Sequence, residues 1–301
     1  MTTATLMLLS VLVRPAAAEK IKLPDGAVFL LPTHPGVHAE WPVHPGTLKK
    51  LQATKLAFGV AGTGKICLIA GGKVFFYPEV ALSMYSKVRT QDVIFLDAGN
   101  MIVRYGQEVG TLETNPDRAS ESPEEQKKGN LIFKPFIKLP YKDFKIFTGI
   151  GKYFYVVGRN EEKNRNELSL WNLDHFGPVS QLMATNGPIT AVAGTPDKTY
   201  YALERGVLLL EKGAKEAKAV FVHPREDIKS LIYRPDVGLF YTTENAAGYI
   251  GEKEQFDFLV YPGTELRLGG KDLYVRLGSV ANGIMRIKGP EHYASIRQDP
   301  K

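Results

Sequence analysis

Between Pro188 and Glu226 the apolar residues fall into short runs, each closed by Gly, Pro or Asp. Pro188–Ala193 leads into a Gly194–Asp197 turn, and Lys198–Leu203 into an Arg205-Gly206 turn. Val207–Leu210 and Ala217–Val222 complete the set. Short runs rich in Val, Leu and Tyr, separated by turn formers, predict a four-stranded antiparallel meander. The third run has no polar alternation. A strand there needs cover on both faces, which predicts burial of Leu209 with its neighbours.

The same unit recurs along the chain. Its first hairpin turn is expected at Gly62–Lys65, Ala98–Asn100, Gly149–Lys152, Pro196–Lys198, Pro235–Gly238 and Gly269–Asp272. An apolar or aromatic run follows each, as in Ile66–Ile69, Met101–Val103, Tyr153–Val157, Tyr200-Tyr201, Leu239–Tyr241 and Leu273–Val275. Taking Gly64, Gly99, Gly151, Asp197, Val237 and Gly270 as markers, the steps are 35, 52, 46, 40 and 33 residues. Blade repeats of propellers run to roughly 40–50 residues, and a meander covered on both faces by its own copies is a blade. Six copies predict an all-β, six-bladed β-propeller. Leu56–Ala61 and Ala191–Ala193 mix small with large side chains, as innermost strands crowded around an axis require.

The chain divides accordingly. Residues 1–18 read as a signal peptide, with the apolar run Thr5–Val13 and a small-residue cleavage site at Pro15–Ala18 before Glu19. That run is shorter than the roughly 20 residues that span a bilayer, so no transmembrane segment is expected after its removal. Residues 19–53 form a short N-terminal arm, residues 54–297 the propeller and residues 298–301 a tail. An open sheet edge invites association, so Ala27–Leu31 is expected to join the last unit as its closing strand, beside a weak run at His292–Ile296. Thr114–Asn130 has, prolines aside, no apolar residue larger than Ala. It reads as a mobile insertion whose deletion leaves the melting temperature nearly unchanged. Arg159–Asn166 is a smaller polar insertion.

Charge adds little. The 38 basic and 32 acidic residues give +6, falling to +5 once Arg14 leaves with the signal peptide. No basic stripe with interleaved aromatics stands out, so no nucleic-acid partner is expected. Cys67, the only cysteine, lies in the apolar run Ile66–Ile69 and reads as a buried structural thiol.

The candidate chemistry is sparse. Gly59–Lys65 has the skeleton of a phosphate-binding loop, but Ile66 stands where Ser or Thr must hold magnesium, and a strand follows instead of a helix. Asp97, Asp197, Asp236 and Asp272 sit at hairpin turns, where Asp bonds the local backbone. Glu79, Asn100, Asn172, Asp174, Glu244, Asn245 and Asn282 are the oxygen donors that a metal site at a channel mouth would draw on, with no spacing that groups them. No nucleophile elbow or zinc-protease helix is present. The one compact donor set is on the arm. His34, His38 and His44, with Glu40 as a fourth ligand, suit zinc or copper on a segment stiffened by Pro32, Pro35, Pro42 and Pro45. If that site forms, zinc titration distinguishes the wild type from a variant with all three histidines changed to alanine.

The units Gly206–Leu209, Gly238–Thr243 and Asp272–Leu277 resemble blades of the NHL and sensor-type β-propellers. Repeating Trp-Asp pairs are absent, which sets WD-repeat propellers aside. The resemblance is at the level of the superfold, which hosts many functions. With the signal peptide and the sparse chemistry, the expectation is a periplasmic or secreted interaction module, without catalytic residues or a resident cofactor, that binds a protein or cell-envelope component through its loop-bearing rim. The alternative is a metal-dependent hydrolase or lactonase with its site at the mouth of the channel.

Overall fold

The computed structural model describes residues 101–114, 131–252 and 255–260, together with the strand segments 27–30, 57–60, 65–70, 73–78, 92–95, 265–269, 272–276 and 284–287. Among them there is no helix. All regular structure is antiparallel sheet, and the strands fall into six meanders.

In chain order, β1 (Ala27–Leu30) precedes the first meander, β2 (Ala57–Val60), β3 (Lys65–Ala70) and β4 (Lys73–Pro78). The second is β5 (Asp92–Phe95), β6 (Met101–Tyr105), β7 (Glu108–Thr114) and β8 (Leu131–Lys138). The third is β9 (Phe144–Thr148), β10 (Tyr153–Asn160), β11 (Arg165–Asn172) and β12 (Gly177–Thr185). The fourth is β13 (Ile189–Gly194), β14 (Lys198–Leu203), β15 (Gly206–Glu211) and β16 (Lys218–Val222). The fifth is β17 (Ser230–Arg234), β18 (Gly238–Thr242), β19 (Ala246–Ile250) and β20 (Gln255–Val260). The last is β21 (Glu265–Gly269), β22 (Asp272–Arg276) and β23 (Ile284–Ile287). Each meander forms its own sheet in sequence order, and all six expected turn positions fall between the first strand of a sheet and its second, those near Gly64, Gly99 and Gly270 lying wholly or partly outside the described residues. β1 completes the last sheet by pairing with β23, Ala27 opposite Ile287 and Leu30 opposite Ile284. The expected pairing of this early segment with the last unit is therefore observed, while His292–Ile296 lies outside the described residues.

Each sheet packs on the next. First strands touch in succession, β2 on β5, β5 on β9, β9 on β13, β13 on β17 and β17 on β21. Alternation along the middle strands then supplies two cores per sheet. Phe154 and Val156 of β10 face Ile102 and Val109 of the second sheet. Tyr155 and Val157 face the other way, onto Val192, Tyr201 and Leu210 of the fourth. The opposite face of the fourth sheet, with Ala191, Ala193, Ala202 and Val207, covers Leu231, Leu239 and Tyr241 of the fifth. Ile189 joins Val192 on one face because the register shifts between Ile189 and Ala191. Fully burying a side chain such as Leu168 or Phe154 contributes about 1.5–3 kcal/mol. This face-to-face succession of small meanders is a propeller-like fold.

One expectation is corrected. In β15 the buried side chains are Val207 and Leu210, whereas Leu208 and Leu209 are half-buried. The fourth strand, β16, is itself largely exposed and covers the outer part of β15 incompletely. Leu209→Ala is accordingly expected to cost less than the about 2–5 kcal/mol of a core truncation, and less than Leu210→Ala in the same denaturation experiment.

The outer strands share a device that the sequence did not announce. Each of the four described in full takes an extra, apolar residue against the third strand of its sheet: Phe136 in β8, Leu182 and again Val179 in β12, Val220 in β16 and Phe258 in β20. The shift falls after the second residue of β7, β15 and β19. In β11 the first shift falls after the fourth residue, because the Arg159–Asn166 insertion lengthens the β10–β11 hairpin, and a second follows after the sixth. Bulges at this position twist the free edge and interrupt its row of donors and acceptors, which blunts edge-to-edge association.

Candidate functional site

The most unusual surface feature is an aromatic seam between the second and third sheets. Phe176, in the β11–β12 connection, packs on Phe136 of β8 with ring centroids 4.9 Å apart and the ring planes tilted by 39°. It is 49% exposed, and Val179, three residues on, is 51% exposed. The Phe176 backbone stands at φ +47°, a left-handed conformation that costs a bulky residue strain. A large apolar side chain is thus held out to solvent against both solvation and backbone preference. Sequence reading passed over Phe176 because it lies in a turn, outside any apolar run.

Two polar clusters lie between sheets. In the first, Glu167 of β11 is almost fully buried. It accepts hydrogen bonds from Arg165 (3.2 and 3.1 Å), Asn160 (3.1 Å) and the Tyr141 hydroxyl (3.1 Å). Burial works to raise its carboxyl, but the bonds from Arg165, Tyr141 and Asn160 prevail and hold it below its ordinary value. Burial and the neighbouring Glu167 push the Tyr141 hydroxyl up to about 12. A carboxylate depressed in the folded state stabilises the fold above its unfolded pKa, and that contribution is lost as pH falls through the lower folded value. The fold is therefore expected to lose stability below about pH 4.3. Glu167→Gln should flatten that part of the profile and cost stability at pH 7; urea midpoints at pH 7 and pH 3.5 read both.

The second cluster ties the fourth sheet to the fifth. His223 follows β16 and is 4% exposed. Its amide donates to the Arg205 carbonyl (2.9 Å), and its Nδ1 accepts from the amides of Arg225 (3.3 Å) and Glu226 (2.9 Å). Its Nε2 is buried, has no hydrogen-bond partner among the described residues, and lies 3.7 Å from Asp257 Oδ2. Tyr241 donates to Asp257 Oδ1 at 2.5 Å, and its hydroxyl is raised by burial first and by Asp257 second. Glu226 accepts from the Asn245 amide (3.0 Å) and Nδ2 (2.6 Å), and Asn245 is the first cause of its lowered carboxyl. With Nδ1 accepting two amides, the neutral ring carries its proton on Nε2. A ring so fixed offers no lone pair to a metal or to an incoming proton donor. The cluster binds its own loop.

The sequence-level candidates do not converge. His34, His38, His44 and Glu40 lie outside the described residues, as do Glu79, Asn100, Asn282 and residues 115–130 of the insertion. Asn172 accepts the Asp174 amide at 2.7 Å, and Asp174 pairs with Lys152 at 2.5 Å. Asn172 ends β11 and Asp174 lies in the connection from that third strand to the fourth. Glu244 and Asn245 belong to a second-to-third connection, at the opposite end of the repeat unit. Asp197 pairs with Lys212 and Asp236 with Arg234, as turn aspartates do. Among the described residues, no three His, Cys, Asp or Glu side chains lie together so as to hold a metal ion.

No family model and no curated protein matches the sequence. Solved structures similar to it include PorZ, a surface component of the type-IX secretion system of Porphyromonas gingivalis, at 13% identity and a TM-score of 0.45. That match covers 83% of this chain and 31% of PorZ, so the chain spans about a third of its length. A nidogen/laminin complex is similar at 11% identity and a TM-score of 0.48, over 73% of this chain and 83% of that one. Virginiamycin B lyase of Staphylococcus aureus is similar at 10% identity and 0.45, over 76% of this chain and 78% of the other.

Proposed function

We propose that the chain is an exported, non-catalytic β-propeller of six blades that binds another protein or a cell-envelope component. The observation that carries the reading is the Phe136–Phe176 seam with Val179: a half-exposed aromatic held in a strained backbone is an anchor for a partner, since aromatic side chains dominate such interfaces. The seam also relates to the loop-bearing rim. Phe176 lies in the third-to-fourth connection of its sheet, and residues 115–130 make the same connection one unit earlier. Closure of the ring is supported by β1, since a strand from ahead of the first unit that adds to the last sheet joins the two ends of the chain.

The test is a pull-down from the envelope of the source cell with the mature protein, beside the double variant Phe176→Ser, Val179→Ser. A partner retained by the wild type and lost at least tenfold by the variant supports the reading; equal capture by both overturns it. Export is tested separately: mass spectrometry of the protein recovered outside the cytoplasm is expected to place Glu19 at the N-terminus, and an intact residue 1–18 segment in a cytosolic protein overturns the localisation.

A further inference from the structure

We infer that His223 is a pH-sensitive latch that holds the 223–228 loop, and through it the β18–β19 turn, at the junction of the fourth and fifth sheets. At neutral pH the ring is an acceptor at Nδ1, fastened to the Arg225 and Glu226 amides. The loop has few other ties. Ile228 donates to the Glu204 carbonyl at 2.8 Å, and Arg205 reaches the Pro224 carbonyl at 3.3 Å. Glu226 carries the ordering onward by clamping the backbone and side chain of Asn245.

A second proton can enter the ring only at Nδ1, where it would face two N–H donors at 2.9 and 3.3 Å with no acceptor between them. The latched state therefore excludes the imidazolium, and the released state does not. The charged surroundings favour the imidazolium once the loop has moved. Asp257 of β20 lies 3.7 Å from Nε2 and Glu226 is on the same loop, while Glu204, Arg205, Arg225 and Asp227 are the remaining charged groups on the turn and loop beside it, and Glu244 is on the β18–β19 turn. Tyr241 of β18, packed on the ring at 5.9 Å, stays neutral throughout. Acid thus favours release. Since only the released state admits the extra proton, the ratio of released to latched loop rises as pH falls, by at most about tenfold per pH unit.

The experiment is hydrogen exchange of the full chain, corrected for the intrinsic pH dependence of exchange, reading the Arg225 and Glu226 amides against those of β18 and β19. Protection of the two loop amides is expected to fall from pH 7.5 to pH 5.5, by at most about tenfold per pH unit, with the strand amides unchanged. His223→Asn, whose side-chain oxygen accepts the same amides but does not titrate, should abolish the dependence. Should that variant not fold, Asp257→Asn serves instead and is expected to move the midpoint to lower pH. Loop protection that is the same at both pH values in the wild type overturns the latch, as does an unchanged dependence in His223→Asn.

Discussion

Gly194→Ala is expected to be among the most damaging single substitutions in the described part of the chain. Gly194 ends β13 at φ +144°, a region open to glycine and strained for every side chain. A Cβ there would stand 2.0 Å from the Lys198 carbonyl oxygen, which is backbone and cannot rotate away. That oxygen is also fixed, since it accepts the Thr195 amide at 2.9 Å and closes the turn into β14. Strain and overpacking each cost about 1–3 kcal/mol, so a loss of roughly 2–6 kcal/mol in urea denaturation is expected. Gly213 is the control. It too has a positive φ, +79°, but nothing lies within 4 Å of its Cβ position, so Gly213→Ala should show the conformational cost alone, about 1–2 kcal/mol. Equal losses at the two sites would show that the β13–β14 turn relaxes around the new methyl group.

The contrast bears on what was legible in the sequence. The Gly194–Asp197 turn and the strands on either side of it follow from residue types alone, because turn chemistry and strand composition are local. The six hairpins were legible for the same reason. Leu209 was misread because an apolar run states that cover is needed but not where the neighbouring sheet ends. The outer-strand bulges left no signal, since the extra residues Phe136, Val179, Leu182, Val220 and Phe258 are ordinary strand residues. The site was less legible than the fold. His223 follows the last strand of the fourth sheet and Asp257 lies in the fifth, and no spacing foretells that a loop will bring them to 3.7 Å. Phe176 became conspicuous only once its exposure and backbone conformation were known.

Gly248→Ala is the second substitution expected to have a large effect, and its outcome should depend on a single neighbour. The hydroxyl end of Tyr241 lies across Gly248, and an added Cβ would meet Tyr241 Cζ at 2.2 Å. Tyr241 is 1% exposed, packed against Leu231 and Leu239 and tied to Asp257, so its ring has nowhere to go. Overpacking of about 1–3 kcal/mol is expected, and a further ~1.5–3 kcal/mol if the ring is driven off its carboxylate. The third sheet repeats the arrangement with a looser partner, because Tyr141 covers Gly158 at 2.1 Å but sits half-buried in a loop and bonds Glu167 at 3.1 Å. Gly158→Ala should therefore cost less, since Tyr141 can swing toward solvent. A double-mutant cycle isolates the contact. With Tyr241→Ala in the background, Gly248→Ala should become neutral or stabilising, as alanine orders a strand better than glycine by roughly 0.5–1 kcal/mol. A Gly248→Ala loss of the same size in both backgrounds would mean that the methyl group is rejected by the β19 backbone and not by the tyrosine above it.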